Sequence, residues 1–151
     1  MRNKIDAVLG KTLVLIMSVM VINVLWQVFT RYVTGNPSSF TDELARYLMI
    51  WIGVLGAAYV SGRNLHVAID ILPLRQNLKT QKKLKIIVTV LIILFVLFAF
   101  VIGGTRLVYI SYVLGQHSLS LQLPLAFVYV IIPISGLLIM YYKISDLKNM
   151  N

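Results

Sequence analysis

Four runs of apolar residues divide the chain: Leu13 to Phe29, Leu44 to Val60, Ile86 to Gly104 and Leu123 to Met140. Apart from Arg46 in the opening turn of the second, none contains a charged residue or a histidine. With uncharged flanks each reaches about 17 to 22 residues. A helix rising 1.5 Å per residue needs about 20 to cross a hydrocarbon core of roughly 30 Å. The runs are apolar all round, whereas the helices of a soluble bundle keep a polar outer face. Four such runs cannot close a barrel, and open backbone is not tolerated in lipid, so the spans are helical. The pattern predicts an all-α integral membrane protein. It forms one domain over residues 1–151, with spans near 12–31, 42–61, 85–105 and 122–142, the third being the longest and most uniform.

The segments between the runs differ in character. Thr34-Gly35-Asn36-Pro37-Ser38-Ser39 reads as a turn. Thr41-Asp42-Glu43 reads as a helix start with acids at the positive end of the dipole, so span two is expected to begin near Thr41. From His66 to Lys85, Val67, Ile69, Ile71, Leu72, Leu74 and Leu78 alternate with polar residues over more chain than a hairpin needs. That composition predicts a helix lying along the membrane interface between spans two and three. Pro133 should bend span four, its freed carbonyl met by a neighbour such as Ser135 or left without one.

Charge sets the orientation. Arg2, Lys4 and Lys11 precede span one; Arg63, Arg75, Lys79, Lys82, Lys83 and Lys85 lie in the second loop; Lys143 and Lys148 follow span four. Only Arg31, Arg46 and Arg106 fall on the other side. Eleven against three places both termini in the cytoplasm under the positive-inside rule. Tyr32, Phe40 and Tyr47 at the outer ends, and Tyr141 and Tyr142 at the inner end of span four, are expected to be interface anchors.

Composition sharpens the class. The 59% hydrophobic content and mean hydropathy of +0.86 lie beyond the soluble range. The net charge of +9 flanks the spans rather than forming a stripe on a soluble surface, so it matches topology and anionic lipid rather than nucleic acid. With no cysteine, disulfides and thiolate metal sites are excluded. Arg2 and Lys4 before an apolar run resemble a secretory signal, but no Ala-x-Ala-like site follows Phe29, and a retained first helix is expected.

No chemistry-bearing motif is complete. Gly10-Lys11-Thr12 would end a phosphate-binding loop, but Ile5 stands where its first glycine belongs. Proline in Asn36-Pro37-Ser38 forbids glycosylation. His66 and His117 fall on opposite predicted sides of the membrane, so no paired-histidine haem or metal site is expected, nor any other cofactor. All five acids, Asp6, Asp42, Glu43, Asp70 and Asp146, lie outside the apolar runs. A self-contained proton-coupled exporter would be expected to keep one inside. Asp42 and Glu43 suit helix capping and an ion pair with Arg46 better than acid-base catalysis.

What the residues do suggest is packing. Asn23, Gln27 and Arg31 are spaced four apart on span one and share a face. Gly53, Ala57 and Ser61 on span two have the spacing that lets another helix approach closely. From these features three classes stay open: an accessory transporter subunit, a self-contained small homo-oligomeric transporter, and a membrane anchor of an electron-transfer complex.

Arg31, the run Phe40-Thr41-Asp42-Glu43-Leu44-Ala45-Arg46-Tyr47, Trp51, Leu55-Gly56 and His66-Val67-Ala68-Ile69-Asp70 resemble the small, DctQ-like membrane subunit of tripartite ATP-independent periplasmic (TRAP) transporters. The four-span plan fits that family over nearly the whole chain, although spans three and four share only generic hydrophobicity with it. The resemblance implies a bacterial inner-membrane protein that binds a large multi-span subunit carrying the substrate and sodium sites. It also implies a periplasmic binding protein that delivers an organic acid, of the sialic acid or C4-dicarboxylate type. The small subunit would be a fixed scaffold for elevator movement, not an enzyme. Carried over, Arg31, Glu43, Arg46, Trp51, His66 and Asp70 become structural or interface positions, with the surface charges Asp42 and Arg106 near a docked binding protein.

Overall fold

The computed structural model describes residues 2–35, 38–63 and 78–150. Among them there is no strand. The α-helices are α1 (Arg2–Phe29), α2 (Ser39–Gly62), α3 (Leu78–Val96), α4 (Gly104–Val113), α5 (Leu125–Tyr129) and α6 (Ile131–Met150); π-helical segments follow α1 (Thr30–Thr34) and join α3 to α4 (Leu97–Gly103). Joined end to end they make four rods long and apolar enough to cross a membrane, Arg2–Val33, Ser39–Gly62, Gln81–Val113 and Leu125–Lys148.

The rods run past the apolar runs into the flanking polar residues. The second starts at Ser39 rather than Thr41. The third continues to Val113, so Arg106 is an exposed residue on α4 and not part of a loop. It ends where Gly115 takes φ +58°, the left-handed conformation that terminates helices. Nor is the third rod uniform. Over Leu97–Gly103 the wider π winding sets in, and the N–H of Gly104 points at the carbonyls of both Phe100 and Val101. The His66 to Lys85 segment divides: residues 64–77 lie outside the described residues, and from Leu78 onward the chain already belongs to α3.

Span four breaks between α5 and α6, one turn before Pro133, where the proline ring and its missing N–H act on the preceding carbonyls. Ser135 does not repair the break: its hydroxyl is buried without a partner among the described residues. Instead Trp51 of α2 donates its indole N–H to the Val128 carbonyl at 3.0 Å.

In space the rods are ordered 1, 2, 4, 3. α1 lies on α2, α2 on α6, and α6 on α3 and the π segment that follows it. One core cluster gathers Leu9 and Ile16 of α1, Leu55 of α2 and Tyr142 of α6; a second gathers Ala58, Val96 and Ile139. Three glycines set the close approaches, one of them Gly104, whose Cβ would lie 2.9 Å from Cγ2 of Ile132. A Cβ on Gly62 would lie 2.8 Å from the Tyr142 ring, and one on Gly136 would lie 2.8 Å from Cβ of Phe100. Tyr142 is therefore no interface anchor: it is fully buried, while its neighbour Tyr141 is exposed. Most of each rod still faces outward, the third rod above all, and on α1 Val14, Leu15, Ile22, Leu25 and Trp26 are exposed.

Candidate functional site

Two polar clusters tie the rods together, one at each end of the bundle. At the first, α2 delivers two consecutive acids to different tasks, because neighbouring helix positions diverge by about 100°. Asp42 accepts from Arg46 Nη2 at 2.5 Å, one turn on, and from Gln27 Nε2 of α1 at 3.3 Å. Glu43 faces the connection between the third and fourth rods. Its carboxylate accepts the backbone N–H groups of Leu119 at 3.1 Å, Ser120 at 2.8 Å and Leu121 at 3.2 Å, and the Tyr47 hydroxyl at 2.9 Å. Three successive amides turned on one anion form a nest. The loop supports that geometry itself: Ser118 and Leu123 pair through the backbone, Leu125 N–H donates to Gln116, and Gln122 adopts φ 54°. Leu119 is left at the tip, 95% exposed.

The expected polar face of α1 is split by the structure. Asn23 is buried and donates to the Thr41 carbonyl at 2.8 Å, and Gln27 reaches Asp42, so both fasten α1 to α2. Arg31 sits in the π-helical turn, exposed and with no partner among the described residues. The small-residue row on α2 divides likewise. Ser61 is buried, whereas Gly53 and Ala57 are exposed, in line with exposed Arg46 and Met49. A Cβ on Gly53 would meet nothing within 4 Å. His66 and Asp70 lie outside the described residues.

At the opposite end Arg2 binds Asp146 of α6 at 2.6 Å and the Gly62 carbonyl of α2 at 2.5 Å, with its guanidinium 5.5 Å from the centre of the Tyr142 ring. The Tyr142 hydroxyl donates to Asp6. This clasp joins residues far apart in the chain. A signal exists, since Arg2 with Asp6 and Tyr142 with Asp146 are each four apart on one helix face, but only the antiparallel placement of α1 and α6 pairs them. Among the described residues every acid is thus engaged within the chain, and no group of three metal-ligating side chains forms.

Glu43→Gln is expected to loosen the nest, because an amide NH₂ would face amide donors. Exchange of the Leu119, Ser120 and Leu121 amides should accelerate by roughly tenfold. Unchanged protection would mean that the loop holds its shape unaided.

Comparison with known proteins bears on this arrangement. The family profile "Tripartite ATP-independent periplasmic transporters, DctQ component" matches residues 20–150. The chain belongs to that family. This DctQ-family chain is 39% identical over 57 residues to a putative TRAP transporter small permease protein of Haemophilus influenzae, covering 38% of this chain and 35% of that protein. It is 36% identical over 69 residues to the sialic acid TRAP transporter small permease protein of Vibrio cholerae, covering 43% of this chain and 40% of that one. The matched segments thus span well under half of either relative. Membership makes the chain a multi-pass component of a transporter and not an enzyme.

Proposed function

We propose that the chain is the scaffold subunit of a TRAP transporter, fixed in the bacterial inner membrane beside a large multi-span subunit that moves in elevator fashion, is driven by sodium and carries an organic acid. The observation that carries this reading is the engagement of every described acid in internal bonds, which leaves none of these four to bind a coupling ion or to change protonation during transport. Both termini face the cytoplasm, by the eleven-to-three distribution of Lys and Arg. The Glu43 end then faces the periplasm and offers Arg31, Arg46 and Leu119 to a docked binding protein. The Vibrio cholerae relative's name points to sialic acid as the first substrate to test.

The large subunit is placed on the open row Arg46, Met49, Gly53 and Ala57 of α2, where small residues permit close helix approach. Gly53→Leu tests this, since Gly53 is exposed and a Cβ there meets nothing within 4 Å. Co-purification of the large subunit in mild detergent should fall severalfold, and uptake should fall in proportion with its sodium dependence unaltered. Full co-purification would move the contact elsewhere; a changed sodium dependence in the assembled remainder would end the scaffold reading. Single cysteines at Ser38 and Lys148, in a chain that otherwise has none, should label from opposite sides, Ser38 from the periplasm.

A further inference from the structure

A groove of about 750 Å³ opens where α1 meets the end of α2, lined among others by Lys11, Val14, Ser18, Ile22, Tyr59 and Arg63. Its two halves differ chemically. At the mouth stand two cations, exposed Lys11 and Arg63, the latter with its guanidinium 5.1 Å from the centre of the Tyr59 ring, and among the described residues no acid lines the groove. Asp6, the nearest acid in sequence on α1, is taken by Tyr142. Below the mouth the wall is Val14, Leu15, Val19 and Ile22, all exposed. Ser18, the hydroxyl residue of this stretch, donates to its own helix at the Val14 carbonyl at 2.8 Å, so it offers no unpaired donor. From Lys11 to Ile22 the helix rises about 16 Å at 1.5 Å per residue, half of a hydrocarbon core of about 30 Å.

Cations at interface level above an apolar channel one leaflet deep match a single class of molecule. We propose that this groove is a specific site for an anionic phospholipid of the leaflet at the Arg2 end, its phosphate held between Lys11 and Arg63 and one acyl chain laid along Val14 to Ile22. Gly10 helps to shape the site: the Tyr59 ring lies 3.4 Å from where its Cβ would be, so the ring packs directly over this position. The bound lipid fills the angle between α1 and α2.

The test is native mass spectrometry of the chain, together with whatever membrane partner co-purifies, after delipidation and addition of defined lipids. Phosphatidylglycerol should be retained and phosphatidylcholine lost at equal concentration, and inorganic phosphate should neither bind nor compete, which separates a lipid from a free anion. Each cation near an anionic headgroup contributes about a fivefold gain in binding, so Lys11→Ala with Arg63→Ala should weaken retention by roughly 25-fold. Ser18→Trp leaves both charges in place and fills the channel, and it should lower retention as well. Equal retention of the neutral lipid, undiminished retention by the double variant, or a groove covered by protein in the assembled complex would each overturn the assignment.

Discussion

Tyr142→Ala is expected to destabilise the chain by about 3–5 kcal/mol, the range for emptying a fully packed aromatic site. The ring is fully buried, lies flush against Gly62, belongs to the core cluster with Leu9, Ile16 and Leu55, and sits beneath Arg2. In lipid little hydrophobic transfer energy separates packed from unpacked helices, so helix association depends on van der Waals contact and hydrogen bonds, and a void there removes both. Tyr142→Phe retains the ring and loses only the hydroxyl that donates to Asp6, which should cost about 1 kcal/mol. Unfolding in mild detergent titrated with SDS measures both values. A phenylalanine variant as unstable as the alanine one would show that the bond to Asp6, and not packing, holds this end together.

Arg2→Ala should cost about 2–4 kcal/mol, because one side chain closes three contacts. It pairs with Asp146, donates to the Gly62 carbonyl and lies over Tyr142, and both ionic side chains are less than a third exposed, at 28% and 15%. Removing the cation leaves Asp146 partly desolvated without a partner. Arg2→Met combined with Asp146→Leu should recover most of the loss, since apolar pairs commonly replace partly buried ion pairs without penalty. Arg2→Lys should recover less than half, as a point-like ammonium cannot bridge a carboxylate and a carbonyl in the forked geometry of guanidinium. A double variant no better than Arg2→Ala would assign the effect to the Gly62 carbonyl instead of the ion pair.

These two expectations concern residues whose importance was hidden in the linear chain. Tyr142 looked like an interface anchor because aromatic residues gather at membrane boundaries, and position along the rod cannot tell the lipid-facing side from the packed one. Glu43 is the reverse case. An acid near the start of a helix is visible as such, yet its partners, the amides of Leu119 to Leu121, lie some 76 to 78 positions away and exist as a nest only once the loop closes. Asn23 was legible as a residue needing a partner, and the structure supplied the Thr41 carbonyl.

The sequence by itself determined the class of protein and the number of its rods long and apolar enough to cross a membrane. Those follow from composition and from the cost of placing charge and open backbone in hydrocarbon, which act on each segment separately. Only the tertiary structure decided the order 1, 2, 4, 3, the π winding before Gly104, the division of Gly53 and Ala57 from Ser61, and the clasp of Arg2, Asp6, Tyr142 and Asp146. In a uniformly apolar helix no face is marked for the interior. Which face is packed is settled by shape, through glycines such as Gly62 and Gly136 and the few polar groups that must find one another across rods.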